Sequence, residues 1–147
     1  MSQPKPDAKS FTVKDISKMM AKQDLAMLIT RHGDDSAVRP MSNNRDVEFD
    51  GDTFFFSTAD TLTVQDIKDH KRVTVSYQDT DDGLFMSMSG AASLHTDQKM
   101  LKEHWKDNLE KWFEDGLDTE GLTLIEVNAD RIHYWSGRDE GEITLDN

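Results

Sequence analysis

No cysteine occurs anywhere in the 147 residues. That excludes disulfides, thiolate–metal sites and cysteine nucleophiles, and it suits a reducing compartment. Long apolar runs are also missing. Nothing approaches the roughly 18 consecutive apolar residues of a membrane helix, and residues 1–9 lack the apolar stretch of a signal peptide. The expectation is a soluble, cytoplasmic chain with a disordered tail over residues 1–9. Basic residues are few: 17 Lys and Arg against 29 Asp and Glu leave a net charge of −12. A binder of phosphate backbones carries a basic face, so nucleic acid is an unsuited partner. P-loop, nucleophile-elbow and dinucleotide glycine patterns are absent. His32, His70, His95, His104 and His133 share no ligand spacing, which argues against a metal. The acidic run Asp79–Asp82 lacks the spacing of an EF-hand loop and reads as a solvated turn.

What is present points to one domain, long enough to bury roughly 68–70% of its unfolded surface. Ser10 is a candidate cap for a helix in which Phe11, Val13, Ile16, Met19 and Met20 recur at helical spacing through Gln23. Leu25–Thr30 and Ser36–Ser42 flank the Gly33-Asp34-Asp35 turn and read as a hairpin. A second hairpin is expected around Asp50-Gly51, between Val47–Phe49 and Thr53–Ser57. Val64–His70 suits a short helix, and Val73, Val75 and Tyr77 alternate as a half-buried strand. Leu84–Leu94 forms a long strand with Met86 and Met88 on one face, where Gly90 predicts a bend or close approach. Asp97 caps a predicted helix to Phe113, with Trp105, Leu109 and Trp112 as a core-facing stripe. Leu122–Trp135 is the last strand, with a break near Asn128–Asp130, and residues 138–147 read as a polar tail. Many short strands joined by hairpins imply a mainly β (α+β) fold, a small antiparallel barrel with flanking helices, over residues 10–137.

The stretch from Ala37 to Val75 carries the chemistry. Arg39-Pro40-Met41 lies on one strand, and Phe54-Phe55-Phe56-Ser57-Thr58 lies on the next, followed by Thr61 and Thr63. An arginine, a hydroxyl cluster and the free amides of a helix start can hold a phosphate, with aromatic rings beside it. Arg45, Lys68, Lys71 and Arg72 add cations nearby. Because side chains alternate along a strand, Phe55 faces opposite to Phe54 and Phe56. Pro40 removes one ladder hydrogen bond and so marks an edge, a bulge or a ligand-facing opening.

These pieces, with Val64-Gln65-Asp66-Ile67, Arg72-Val73, Met86–Gly90, Trp112-Phe113 and Tyr134-Trp135, resemble the general stress protein branch of the FMN-binding split barrels. That family is related to pyridoxamine 5'-phosphate oxidase. The likeness runs from about Phe11 to Trp135. It implies a six-stranded split barrel acting as a homodimer, with FMN at the subunit interface. By position, Arg39 corresponds to an arginine on the flavin phosphate, and Met41 lies beside the isoalloxazine or ribityl chain. Ser57 and Thr61 fall where the family places phosphate-binding hydroxyls, within the block that includes Pro40, Phe56, Thr58 and Thr63. Trp112 and Phe113 resemble the aromatic pair that packs near the flavin. Two departures stand out: Thr63 and Ala37 replace basic residues common in relatives, leaving Lys68 or Arg72 to compensate. The implied function is an FMN-binding stress protein, a flavin-dependent oxidoreductase of unknown substrate. The alternative is a binder without turnover, or a barrel holding another ligand.

Overall fold

The computed structural model describes residues 10–43, 45 and 48–145. The tail over residues 1–9 expected above lies outside them, as do Asn44, Asp46, Val47 and the last two residues. Helix α1 (Val13–Met20) starts two residues later than expected: Thr12, not Ser10, is the cap, and it forms a reciprocal box with Asp15. That box satisfies two otherwise orphaned donors at the helix start. The helix ends at Met20, short of Gln23.

Strands β1 (Leu25–His32) and β2 (Asp35–Ser42) form the predicted first hairpin. Among the described residues the second hairpin does not form. Phe49 is buried without joining a strand, and β3 (Asp52–Thr58) pairs with β6 (Leu122–Ser136), some seventy residues onward. An Asp-Gly pair marks a turn, but the turn does not choose a strand's partner. Helix α2 (Leu62–Asp69) follows β3, then β4 (Arg72–Asp79) and β5 (Leu84–His95). The long predicted helix breaks up: α3 covers Gln98–His104, and short 3₁₀ turns span Asp107–Lys111 and Gly116–Asp118. Trp105 turns inward against Phe56 (5.3 Å between ring centres) and Phe113 (6.2 Å). Trp105 is half-buried and Leu109 buried, while Trp112 is 59% exposed, so the three do not form one core stripe.

All strands are antiparallel in one sheet, ordered β2-β1-β4-β5-β6-β3. A seventh strand, β7 (Asp139–Thr144), pairs with the far half of β6. The count of six and the polar tail are corrected together. Composition hid this strand, in which Glu140 is buried with its carboxylate 2.8 Å from His133. Ile143 packs against the core. The sheet does not close: β2 and β3 are its two ends. Yet Met41 of β2 and Phe55 of β3 join one hydrophobic core with Leu28, Val75, Met88 and Ile132. Residues from both ends meet only if the sheet curls on itself.

Strand β6 runs unbroken through Asn128–Asp130. The irregularity there is a bulge. Ser89 pairs with Arg131 and Gly90 with Ala129, so Asp130 is the extra residue. Gly90 sits against that bulge with no room for a side chain, since a Cβ would come within 2.0 Å of the Asn128 carbonyl oxygen.

Candidate functional site

A cavity of about 250 Å³ opens between the β2 end of the sheet, β3 and the segment after α3. Phe54 and Phe56 face it, while Phe55 turns to the main core. This is the alternation the triple phenylalanine predicted. Pro40 and Met41 supply the β2 wall, Leu25 the β1 wall, and Trp112 and Phe113 the rim beyond the first 3₁₀ turn. Asn43 fixes the floor: its amide nitrogen donates to the carbonyls of Met20 (2.7 Å) and Gln23 (2.8 Å), and its backbone N–H to Asp24 (2.9 Å). The buried Tyr77 hydroxyl donates to the Asn43 side-chain oxygen at 3.3 Å, and burial pushes that phenol up to about 12.

Two titratable side chains line the cavity, His104 and Lys106. His32, His95 and His133 each sit on a carboxylate, whereas the His104 ring stacks on Phe54 at 3.9 Å and 23°. Neither His104 nor Lys106 was singled out in the sequence, because a continuous helix to Phe113 would have absorbed both. The available signal was their place beside Trp105, just where the helix gives way to an extended backbone.

Five of the expected site residues, Pro40, Met41, Phe56, Trp112 and Phe113, therefore share one cavity. The other five stand apart from its walls. Arg39 donates to Thr30 Oγ1 (2.6 Å), to the carbonyls of Ala37 (3.2 Å) and Leu28 (3.4 Å), and to Asp66 of α2 (3.4 Å). Asp66 also accepts from Thr30 (2.8 Å) and from His32 Nδ1 (2.6 Å). Burial alone would raise the Asp66 pKa. The His32 and Thr30 hydrogen bonds and the charges of His32 and Arg39 outweigh it, holding the carboxyl below its usual range.

The hydroxyl cluster closes a turn. Thr61 caps α2 by accepting from the Val64 N–H, and its own hydrogen goes to the Thr58 carbonyl at 2.9 Å. Ser57 Oγ and Thr61 Oγ1 share a hydrogen bond at 2.9 Å. Thr58 donates to Asp60 at 2.6 Å, and Thr63 is buried. A phosphate needs donors, and the hydroxyls of Ser57, Thr58 and Thr61 are already engaged with groups of their own turn. Of the compensating cations, Lys68 is exposed on α2 and Arg72 is paired with Asp130.

Comparison with known proteins places this geometry. The family described as pyridoxamine 5'-phosphate oxidase like matches residues 12–145, nearly the whole chain. The chain belongs to that family. Its likeness to Protein bli-3 of Neurospora crassa is 25% identity over 132 residues, 83% of this chain and 63% of that protein. The chain thus spans less than two-thirds of that curated relative. Among solved structures, a protein from Clostridium acetobutylicum related to general stress protein 26 of B. subtilis superposes with a TM-score of 0.80 at 14% identity. The match covers 90% of this chain and 94% of that one. The general stress FMN/FAD binding protein of Xanthomonas citri gives 0.74 at 22% identity, covering 91% and 94%. General stress protein 26 of Bacillus anthracis gives 0.76 at 20%, covering 90% and 98%. At these identities the structures establish the split-barrel fold. Within this pyridoxamine 5'-phosphate oxidase-like chain, the wall chemistry is what bears on a ligand. Flat aromatic and apolar surfaces suit a planar ring system, with His104, Lys106 and Asn108 as the polar groups at one side. Among the described residues no helix is long and apolar enough to cross a membrane.

Proposed function

We propose that this chain binds FMN, with the isoalloxazine ring in the cavity walled by Met41, Phe54, Phe56, Trp112 and Phe113. The observation that supports this most is the convergence of two aromatic pairs, far apart in sequence, on one apolar cavity. An isoalloxazine is planar and largely apolar, and stacking on such walls orients it without charged contacts. When bound, the flavin supplies the redox chemistry; the protein's share is to orient it, exclude water and control access. A flavin-dependent oxidoreductase is the activity the site serves. The alternative, a flavin carrier or sensor without turnover, uses the same site and differs in whether bound flavin exchanges electrons with a nicotinamide donor.

The same face supports the homodimer reading. Leu25 (51% exposed) and Trp112 (59%) are large apolar side chains left open at the cavity, and Val38 (56%) is another on the same β2 strand as Pro40 and Met41, as a subunit interface would require. A second subunit seated there would close the cavity over the ring.

Trp112→Ala tests the site. Trp112 is exposed, so the variant is expected to keep its fold and to bind FMN about tenfold more weakly, from the lost stacking of one aromatic pair at roughly 0.5–1.5 kcal/mol plus lost apolar contact. Fluorescence titration reads the affinity. An affinity equal to that of the wild type would remove Trp112 from the site.

A further inference from the structure

We propose that the anionic end of the cavity's ligand is held by Lys106, assisted by Lys111, and not by the arginine and hydroxyls that the family resemblance implies. This rests on the flavin reading above and assigns its phosphate.

Two observations carry it. The first is where cations are free. A second compartment of about 650 Å³ adjoins the apolar cavity, sharing Leu25, Ser42, Asn43, Lys106, Asn108 and Trp112 with it. Beyond the shared walls it is lined by polar residues including Asp24, Arg45 and Lys111. Arg45 and Asp24 are paired with each other at 2.9 Å. Lys106 is half-buried, and no carboxylate of the described residues lies in salt-bridge contact with it. Lys111 stands over the Trp112 ring, 5.6 Å from its centre. In a chain of net charge −12, a half-buried lysine without an acid partner, on the border of an aromatic cavity and a polar one, is placed for an anion. The ligand shape that spans both compartments is a planar ring with a negatively charged tail.

The second observation is where cations are taken. Arg39 already faces the Asp66 carboxylate, and the hydroxyls of Ser57, Thr58 and Thr61 are engaged with groups of their own turn. Ala37 and Thr63 add no cation to that end. A phosphate at that end would meet Asp66 and Asp60 and no uncommitted cation of that cluster. The lysine end offers charge-assisted hydrogen bonds instead.

The test compares FMN with riboflavin, which has the same ring without the phosphate. Their dissociation constants are measured by flavin fluorescence on the full chain, as wild type, Lys106→Gln, the Lys106→Gln/Lys111→Gln double variant, and Lys68→Gln as a charge control. The expected result is a wild type that prefers FMN over riboflavin. Lys106→Gln should lose about tenfold in FMN affinity with riboflavin unchanged, the double variant should lose the preference altogether, and Lys68→Gln should keep it. The proposal is overturned, with the flavin reading intact, if both lysine variants retain the FMN preference, if FMN and riboflavin weaken equally, or if the wild type shows no preference. If the wild type binds neither flavin, both the proposal and the flavin reading fail.

Discussion

Gly90→Ala is expected to destabilise the fold by about 3 kcal/mol, a large share of the 5–15 kcal/mol typical of a domain. The cause is space, not backbone conformation. A methyl group at this position would sit 2.0 Å from the Asn128 oxygen, 2.7 Å from its carbonyl carbon and 2.8 Å from the Ala129 Cα. All three are backbone atoms of β6, held by ladder bonds to β5 on one side and, at Asn128, to β3 on the other. A side chain in the way could rotate; a central strand cannot. Relief requires shifting the bulge at Asp130, whose carboxylate pairs with Arg72 of β4. Urea denaturation of Gly90→Ala beside Ser89→Ala, one residue away and half-exposed, checks this. A loss below about 1 kcal/mol for the glycine variant would mean the β5–β6 bulge is softer than its geometry indicates.

Asp66→Ala is expected to cost about 3 kcal/mol, the range for removing one partner from a buried charged cluster. Its carboxylate binds β1 through Thr30 and His32 and β2 through Arg39, so it ties α2 to the first hairpin. Removing it leaves the Arg39 guanidinium, 19% exposed, with neutral partners only. The cluster also sets a pH dependence. Asp66 has a folded pKa below its ordinary range, so its stabilisation is present above the unfolded carboxylate value and is lost as pH falls through the depressed folded one. His32 has a raised pKa, from its hydrogen bond to Asp66 and then from that charge, against a small cost of burial. Its contribution is complete below the ordinary histidine value and fades as pH rises through the raised one. The Asp35 carboxylate supports this protonated state and Arg39 opposes it. Thermal melts across pH should show the wild type losing its advantage over Asp66→Ala at both ends. A constant difference between the two at every pH would contradict the assignment.

Much of the barrel was legible because its strands are half-buried. Met86 and Met88 alternate with Phe85 and Ser87, and Phe55 opposes Phe54 and Phe56, as a period of two requires. Gly90 was legible as a close approach. What could not be read was partnership. Val47–Phe49 and the Asp-Gly turn resembled half of a hairpin, but β3 satisfies its backbone against β6, a choice that depends on how the whole sheet curls. Strand β7 was hidden by acidic residues, since a carboxylate can be buried once a histidine such as His133 meets it. The same limit applied to the site. The aromatic and β2 residues around the cavity were recognisable from residue type and spacing. Asp66 as the occupant of Arg39 was not, because α2 brings it to residues 27 and 36 positions away in sequence. Lys106 was missed for the opposite reason: helical periodicity ran on through Trp105, Leu109 and Trp112, where packing of the tryptophan broke the helix.

The central claim is that the aromatic cavity holds a flavin ring. The most direct test is the visible absorbance spectrum of the purified chain before and after titration with FMN. The account predicts flavin bands shifted from those of the free cofactor and saturating with added FMN, as expected of a ring moved from water into apolar walls. Bands that match free FMN at every ratio, with none retained after desalting, would contradict it.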